Sequence, residues 1–253
     1  GVLGDSHGAL LGQGCFAPGT AKATYGTGSS VMMQTGDACI ESTGGLVTSL
    51  AWGLSGRVNY VLEGNLNYTG AVISWLKKDV GLLDSDAESE QLARQAHPGD
   101  RTYFVPAFTG LGAPYWDSEA TGLLTGITRT TGKAEIVRAC LDSIAYQITD
   151  LLECMGRDAA LPLAELRVDG GPTANRYLMQ RQSDLACLPL AVPAVQELSA
   201  LGAARAAAQG AGLCACKDFG RPAYTRYQPR MEEAERRALY GGWQDAVRRT
   251  LYH

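Results

Sequence analysis

An α/β fold, with a mixed sheet and helices on its faces, is predicted by three features of this sequence. Strand-length segments come first, broken by glycine turns in an order that looks antiparallel, and later strands alternate with segments of helical period. One segment, residues 133–156, carries Ile136, Cys140, Leu141, Ile144, Ile148, Leu151, Leu152 and Met155 at three- and four-residue spacing, the apolar stripe of a long core helix. The 31 glycines fall in pairs and triplets between apolar runs, where backbone must turn tightly or approach something closely.

The elements follow in order. Gly1 to Asp5 reads as the end of a buried strand running straight into a helix over 6–16, with Asp5 or Ser6 as its N-cap. That abrupt opening predicts missing upstream sequence. Lys22 to Thr35 reads as two strands around Gly26-Thr27-Gly28, a hairpin signal. Two more strands are expected near 45–52 and 57–62, split by Gly53-Leu54-Ser55-Gly56, then helices over 67–80 and 86–96. Tyr103 to Phe108 contains Pro106, so it predicts an edge strand or a strand end. Leu163 to Val168 predicts a strand stopping at Asp169-Gly170-Gly171, with helices at 173–187 and 198–212 and a charged amphipathic helix over 231–250.

Composition excludes several function classes. At 253 residues, with 45% hydrophobic and 19% charged residues, the chain is long and apolar enough to bury a substantial core. A net charge of -4 with scattered basic residues offers no electrostatic footprint for nucleic acid or anionic membrane. Neither a bilayer-spanning run nor a signal peptide is visible. Seven irregularly spaced cysteines argue for reduced thiols in a cytoplasmic chain rather than a disulfide framework. Cys214 and Cys216 form the one close pair, and with three histidines in the chain, none of them nearby, no metal site is expected there.

Four glycine-centred elements fall at strand ends. In Gly4-Asp5-Ser6-His7, a carboxylate at a strand-to-helix turn can act as general base toward a hydroxyl, or can merely cap the helix. Thr24-Tyr25-Gly26-Thr27-Gly28 is a hairpin that can offer backbone N–H groups and a hydroxyl to a phosphate, or can serve structure alone. Asp169-Gly170-Gly171-Pro172-Thr173-Ala174-Asn175 lets backbone pass close to a flat or charged ligand, with Asn175 projecting from the first turn of the next helix; a plain strand-to-helix turn explains it equally. Pro106 to Asp117 is richer in special-backbone and aromatic residues than a simple loop requires, and physics alone assigns it no chemistry.

Together, GDSHGALLGQ at 4–13, TYGTG at 24–28, LEG at 62–64, FVPAFTGLGAPYWD at 104–117, TGLLTGITRTTGKAEIVRACLDSIAYQ at 121–147, LRVDGGPTANRYLMQ at 166–180, LSALGAA at 198–204 and LYGGWQDAVRRT at 239–250 resemble the FGGY carbohydrate kinases, in particular their glycerol-kinase branch. The resemblance implies a ribonuclease-H-like lobe of the actin-like ATPase fold, the whole of 1–253 being the C-terminal, nucleotide-binding lobe, with the N-terminal lobe absent. It implies ATP and Mg²⁺ as cofactors, and a small polyol or sugar as substrate. Asp5 matches the family's catalytic Asp, which takes the proton from the hydroxyl being phosphorylated. Ser6 falls where a substrate-contacting Gln is typical. Thr27 matches a phosphate-contacting Thr, Gly70 a Gly near the nucleotide, and Gly171 and Asn175 the pair that holds the adenosine end. Three departures stand out: Ser6 and His7 follow Asp5, Ser74 replaces a Gln often found four residues after Gly70, and the first lobe is missing. A homo-oligomer remains compatible with the sequence.

Two readings from other classes compete with this one. Gly4-Asp5-Ser6 resembles, superficially, the GDS block of SGNH esterases, but neither His253 nor His97 has the Asp three residues earlier that such a triad needs. A non-catalytic nucleotide-binding or interaction module would bind adenine nucleotide without transferring phosphate.

Overall fold

A computed structural model describes residues 2–54, 56–220 and 222–251. Gly1, Ser55 and His253, named above, lie outside the described residues.

The helices are α1 (Asp5–Gln13), α2 (Gly70–Lys78), α3 (Glu88–Gln95), α4 (Lys133–Ala159), α5 (Arg176–Ala186), α6 (Leu198–Gly210) and α7 (Glu233–Leu251). The strands are β1 (Thr20–Tyr25), β2 (Ser29–Gly36), β3 (Val47–Leu54), β4 (Arg57–Leu66), β5 (Tyr103–Val105), β6 (Leu123–Thr125), β7 (Glu165–Asp169), β8 (Leu190–Pro193) and β9 (Tyr224–Tyr227). Seven strands form one mixed sheet in the order β3-β4-β2-β1-β7-β8-β9. β1 is its pivot: antiparallel to β2 on one side and parallel to β7 on the other.

Strand alternation divides the core between the two faces. Val31 and Met33 of β2 point into the larger cluster, which is built on α4. Met32, between them, points into a smaller cluster with Leu10 and Leu11 of α1 and Ala206 of α6. The two helices on that smaller face pack backbone to backbone. A Cβ on Gly12 would lie 2.0 Å from the Leu198 carbonyl oxygen, and one on Gly202 would lie 1.9 Å from that of Gly8. Only glycine permits this approach, and it fixes the axis of the helix that begins with Asp5.

Most predicted elements are present, with shifted ends. α1 starts at Asp5, its N-cap is Gly4 with no side-chain capping bond, and it stops at Gly14, whose φ of 74° closes it in the left-handed conformation. Neither Asp5 nor Ser6 is therefore the cap. α2 begins at Gly70 rather than 67, because the preceding residues are held by the hairpin. The segment at 173–187 opens as a short 3-10 turn over Gly171–Ala174 before α5 starts. Tyr103 to Phe108 keeps only β5 as strand, paired with β6 in a separate two-stranded ribbon. β6, β8 and β9 were not predicted.

The run at 106–117 is a brace. Leu111 and Asp117 exchange backbone hydrogen bonds of 2.7 and 3.0 Å, and Trp116 donates from Nε1 to the Gly45 carbonyl at 2.6 Å. Tyr115 donates at 3.0 Å to Asp150 of α4, which also accepts from Tyr240 at 2.7 Å and Trp243 at 2.8 Å in α7. One buried carboxyl thus ties loop, core helix and last helix together.

Candidate active site

The sheet places its functional turns side by side. β1 and β7 run parallel in register, Thr24 opposite Asp169, so the loops that follow them leave at the same end. Gly26-Thr27-Gly28 follows β1, and Gly170-Gly171 follows β7. They pack so closely that a Cβ on Gly170, whose φ is 100°, would lie 1.9 Å from the Tyr25 carbonyl oxygen. Gly170 is there for backbone and for contact. Its neighbour Gly171 differs: nothing lies within 4 Å of a Cβ built on it, so it faces open space.

The hairpin loop also organises α2. The N–H of Gly70 donates to the Gly26 carbonyl at 2.9 Å, and those of Thr69 and Ala71 donate to the Thr27 carbonyl at 2.9 and 3.0 Å. A Cβ on Gly70 would stand 2.6 Å from the Gly26 oxygen. The first N–H groups of α2 are thereby satisfied by hairpin carbonyls, and Thr27 is left exposed at the loop tip.

Asn175 is the N-cap of α5. Its Oδ1 accepts from the Leu178 N–H at 3.0 Å, and its Nδ2 donates to Ser89 Oγ at 3.2 Å. This cap position, rather than the first turn, is where it stands, and it joins α5 to α3. A second tie between the same helices is Glu90, which accepts from the Arg176 N–H at 2.9 Å and from Arg94 at 2.8 Å. These hydrogen bonds hold the Glu90 carboxyl below its usual range, against the opposing effect of burial.

Thr27, Gly70, Gly171 and Asn175 all line one cleft of about 950 Å³, with α3 contributing Ser89, Glu90 and Arg94. That volume suits a nucleotide. The sequence reading missed the α3 wall; its one signal was the Glu90–Arg94 pair at i,i+4 spacing.

Asp5 and Ser6 lie outside this cleft, at the exposed start of α1. Among the described residues the Asp5 carboxylate accepts only from the adjacent Ser6 N–H, at 2.6 Å. Its backbone carbonyl is held by Ser199 Oγ at 2.9 Å, so α6 fixes the helix start and leaves the carboxylate facing outward. His7, half-buried, has Nε2 3.3 Å from Ser49 Oγ, and Ser49 donates to Glu63 at 3.3 Å. A second cavity of about 820 Å³ opens beside them, lined by Gly4, His7, Trp52 and Leu54. Among the described residues no group of three His, Cys, Asp or Glu side chains is placed to hold a metal, and no helix is long and apolar enough to cross a membrane.

Residues 21–211 match the model of the FGGY family of carbohydrate kinases, C-terminal domain. The chain is 48% identical to the glycerol kinase of Halorhodospira halophila, over 99% of this chain and 50% of that enzyme. It is 47% identical to the glycerol kinase of Carboxydothermus hydrogenoformans, over 99% of this chain and 51% of that one. The fold matches a crystal structure of Plasmodium falciparum glycerol kinase with ADP at a TM-score of 0.93 and 33% identity, covering all of this chain and 51% of the other. A ligand-bound xylulose kinase from Lactobacillus acidophilus, at a TM-score of 0.86 and 22% identity, shares the fold. The chain spans about half the length of the curated relatives it matches.

Proposed function

The chain belongs to the FGGY family of carbohydrate kinases, and we propose that it is the nucleotide-binding half of an enzyme that transfers the γ-phosphoryl of Mg-ATP to a hydroxyl of a small polyol or sugar. One observation carries this reading: three segments far apart in sequence converge Thr27, Gly70 and the Gly171–Asn175 turn on one cleft of nucleotide size.

The geometry supports the following roles. Gly171, with no side chain, lets a purine nucleoside lie against the turn, and Asn175 keeps one Nδ2 hydrogen for it beyond the bond to Ser89. Thr27 offers an exposed hydroxyl at the hairpin tip, where phosphates would lie between β1 and α2. Mg²⁺ would be held by the nucleotide phosphates rather than by side chains of this chain, which suits a cation that keeps several of its own waters. Asp5 accepts the proton from the acceptor hydroxyl, and its exposed position leaves room for that hydroxyl to approach. Charge neutralisation around the moving phosphoryl group supplies most of the rate in such reactions. The other wall of the acceptor side comes from outside these residues, as does the rest of the length of the relatives.

Ser6 is shorter than the Gln typical at its position and cannot offer both an amide donor and an acceptor. With His7 beside it, it favours a four- or five-carbon polyol or ketose over glycerol. The test is ATP-dependent phosphorylation of glycerol, erythritol, erythrulose, xylitol and xylulose by the full-length protein, compared by kcat/KM. Transfer to one of the longer acceptors, with none by the 253-residue chain alone, is expected. Nucleotide binding without transfer to any of the five would favour a non-catalytic nucleotide-binding module, and glycerol best by about tenfold would remove the significance of Ser6.

A further inference from the structure

Lys22 is the one fully buried lysine in the core of the sheet, with no exposed surface at all. It lies on β1, the strand where the parallel and antiparallel halves meet, four residues before the hairpin glycine Gly26. Burying a cation is costly unless it is paired, and a strand that needed only packing here would carry Met or Leu. Yet among the described residues no carboxylate comes within ion-pair distance of it. Its Nζ donates instead to two hydroxyls, Thr24 Oγ1 at 3.1 Å and Ser30 Oγ at 3.3 Å. Those two residues are direct cross-strand partners at the base of the Gly26-Thr27-Gly28 loop. Lys22 therefore clamps both legs of the hairpin from beneath.

The network continues across the sheet. Thr24 stands opposite Asp169 in the parallel register, and its hydroxyl favours the ionised form of that carboxyl. The Asp169 carboxyl accepts from Gln13 Nε2, at 2.9 Å, at the last turn of α1. Asp169 is buried and immediately precedes Gly170-Gly171. Thr24 thus relays a cation to an anion, and burial pushes each away from its charged form: the lysine down, the carboxyl up. Glu63 and Asp5 add to the negative field felt by the lysine. The three segments so joined are the ones that matter: the hairpin carrying Thr27, the turn carrying Gly171, and the helix whose first residue is Asp5.

We propose that Lys22 is a positioning residue for phosphoryl transfer, a buried cation that, through Thr24 and Asp169, locks the phosphate hairpin, the Gly170-Gly171 turn and α1 into one register and holds a fixed positive charge beneath the reacting groups. It touches neither nucleotide nor acceptor. The inference rests on the kinase reading. It differs from a role in stability alone, because a preorganised charge acts on the transition state more than on ground-state binding.

The test uses the full-length protein that carries this chain, with wild type, Lys22→Met, Thr24→Val and Ser30→Ala compared by kcat, KM for ATP and for the acceptor, ADP affinity and Tm. The expected result for Lys22→Met is a kcat lower by about 10- to 100-fold, with both KM values and the ADP Kd within about threefold of wild type. Thr24→Val should match it, and the double variant should lose little more, because both changes break one relay. If Lys22→Met fails to fold, Ser30→Ala, which removes one hydroxyl and leaves the charge, decides the matter: a kcat loss of about threefold or more at unchanged KM supports the proposal. A folded Lys22→Met with kcat within twofold of an active wild type, or a Ser30→Ala of wild-type kcat where Lys22→Met does not fold, overturns this inference and leaves the kinase reading standing. A full-length wild type that phosphorylates no polyol or sugar overturns both.

Discussion

The nucleotide cleft and the surroundings of Asp5 are built in opposite ways. The cleft is assembled from four segments that satisfy one another: hairpin carbonyls take the N–H groups of α2, Asn175 caps α5 while holding Ser89, and Glu90 ties α3 to the start of α5. Asp5 has a rigid support, α1 packed on α6 through Gly8, Gly12 and Gly202, but among the described residues its carboxylate bonds only to its own neighbour. On the proposed reading, the site for a large, bound co-substrate is prebuilt, whereas the group that must meet a small hydroxyl is only aimed. The two sides should respond to mutation independently, one in binding and one in turnover.

The sharpest separation comes from Asp5→Asn in the full-length protein. It keeps size and hydrogen-bonding capacity but removes the base, so kcat should fall by about 10²–10⁴ with ADP affinity unchanged. Near wild-type turnover would reduce Asp5 to a helix-terminal residue. The cleft side breaks first through its backbone. Gly170→Ala forces a side chain into a left-handed φ against the Tyr25 carbonyl and should destabilise the fold by about 3 kcal/mol, seen as a lower urea midpoint.

A third perturbation lies in the brace at the far end of α4. Burial pushes the Asp150 carboxyl up to about 6, against the pull of its bonds from Tyr240, Trp243 and Tyr115. Its folded value lies above the unfolded one, so its contribution is complete below about pH 4 and is lost as pH rises through about 6. Relative to Asp150→Asn, which does not titrate, wild type should lose about 3 kcal/mol of advantage between pH 4 and pH 8. A flat difference in urea midpoint would show that the three donors hold the carboxyl ionised throughout. The smallest effect is at Ser6. Ser6→Gln should raise kcat/KM for glycerol by about 1 kcal/mol of transition-state binding, roughly fivefold, and leave nucleotide binding alone.

Much of this was legible in the sequence because glycine and strand period leave strong marks. The hairpin around Gly26-Thr27-Gly28, the stop at Asp169-Gly170-Gly171 and the apolar stripe of α4 carry local signals that the tertiary fold did not override. β6, β8 and β9 were missed because each spans four residues or fewer, too short for an alternation to register. Asn175 was expected in the first turn of its helix and is instead the N-cap, since capping depends on whether the side chain turns back to the Leu178 N–H. The α3 wall and the Lys22 relay were invisible for a deeper reason. Ser89 meets Asn175 across 86 positions, and Gln13 meets Asp169 across 156, contacts that only the assembled sheet creates. The run at 106–117 carries more special-backbone and aromatic residues than a loop needs, yet its residues alone assign it no role; the bracing is visible only once Trp116 meets Gly45 and Tyr115 meets Asp150.

The central claim is that an adenine nucleotide lies in the cleft against Gly171. Gly171 tolerates a side chain as far as the fold is concerned, since a Cβ there meets nothing within 4 Å. Calorimetric titration of ADP into the protein and into its Gly171→Val variant therefore tests the claim most directly. The account predicts one ADP per wild-type chain, and an affinity at least about tenfold weaker in Gly171→Val at an unchanged Tm. Equal ADP affinity in the two proteins, or no binding by wild type, would contradict it.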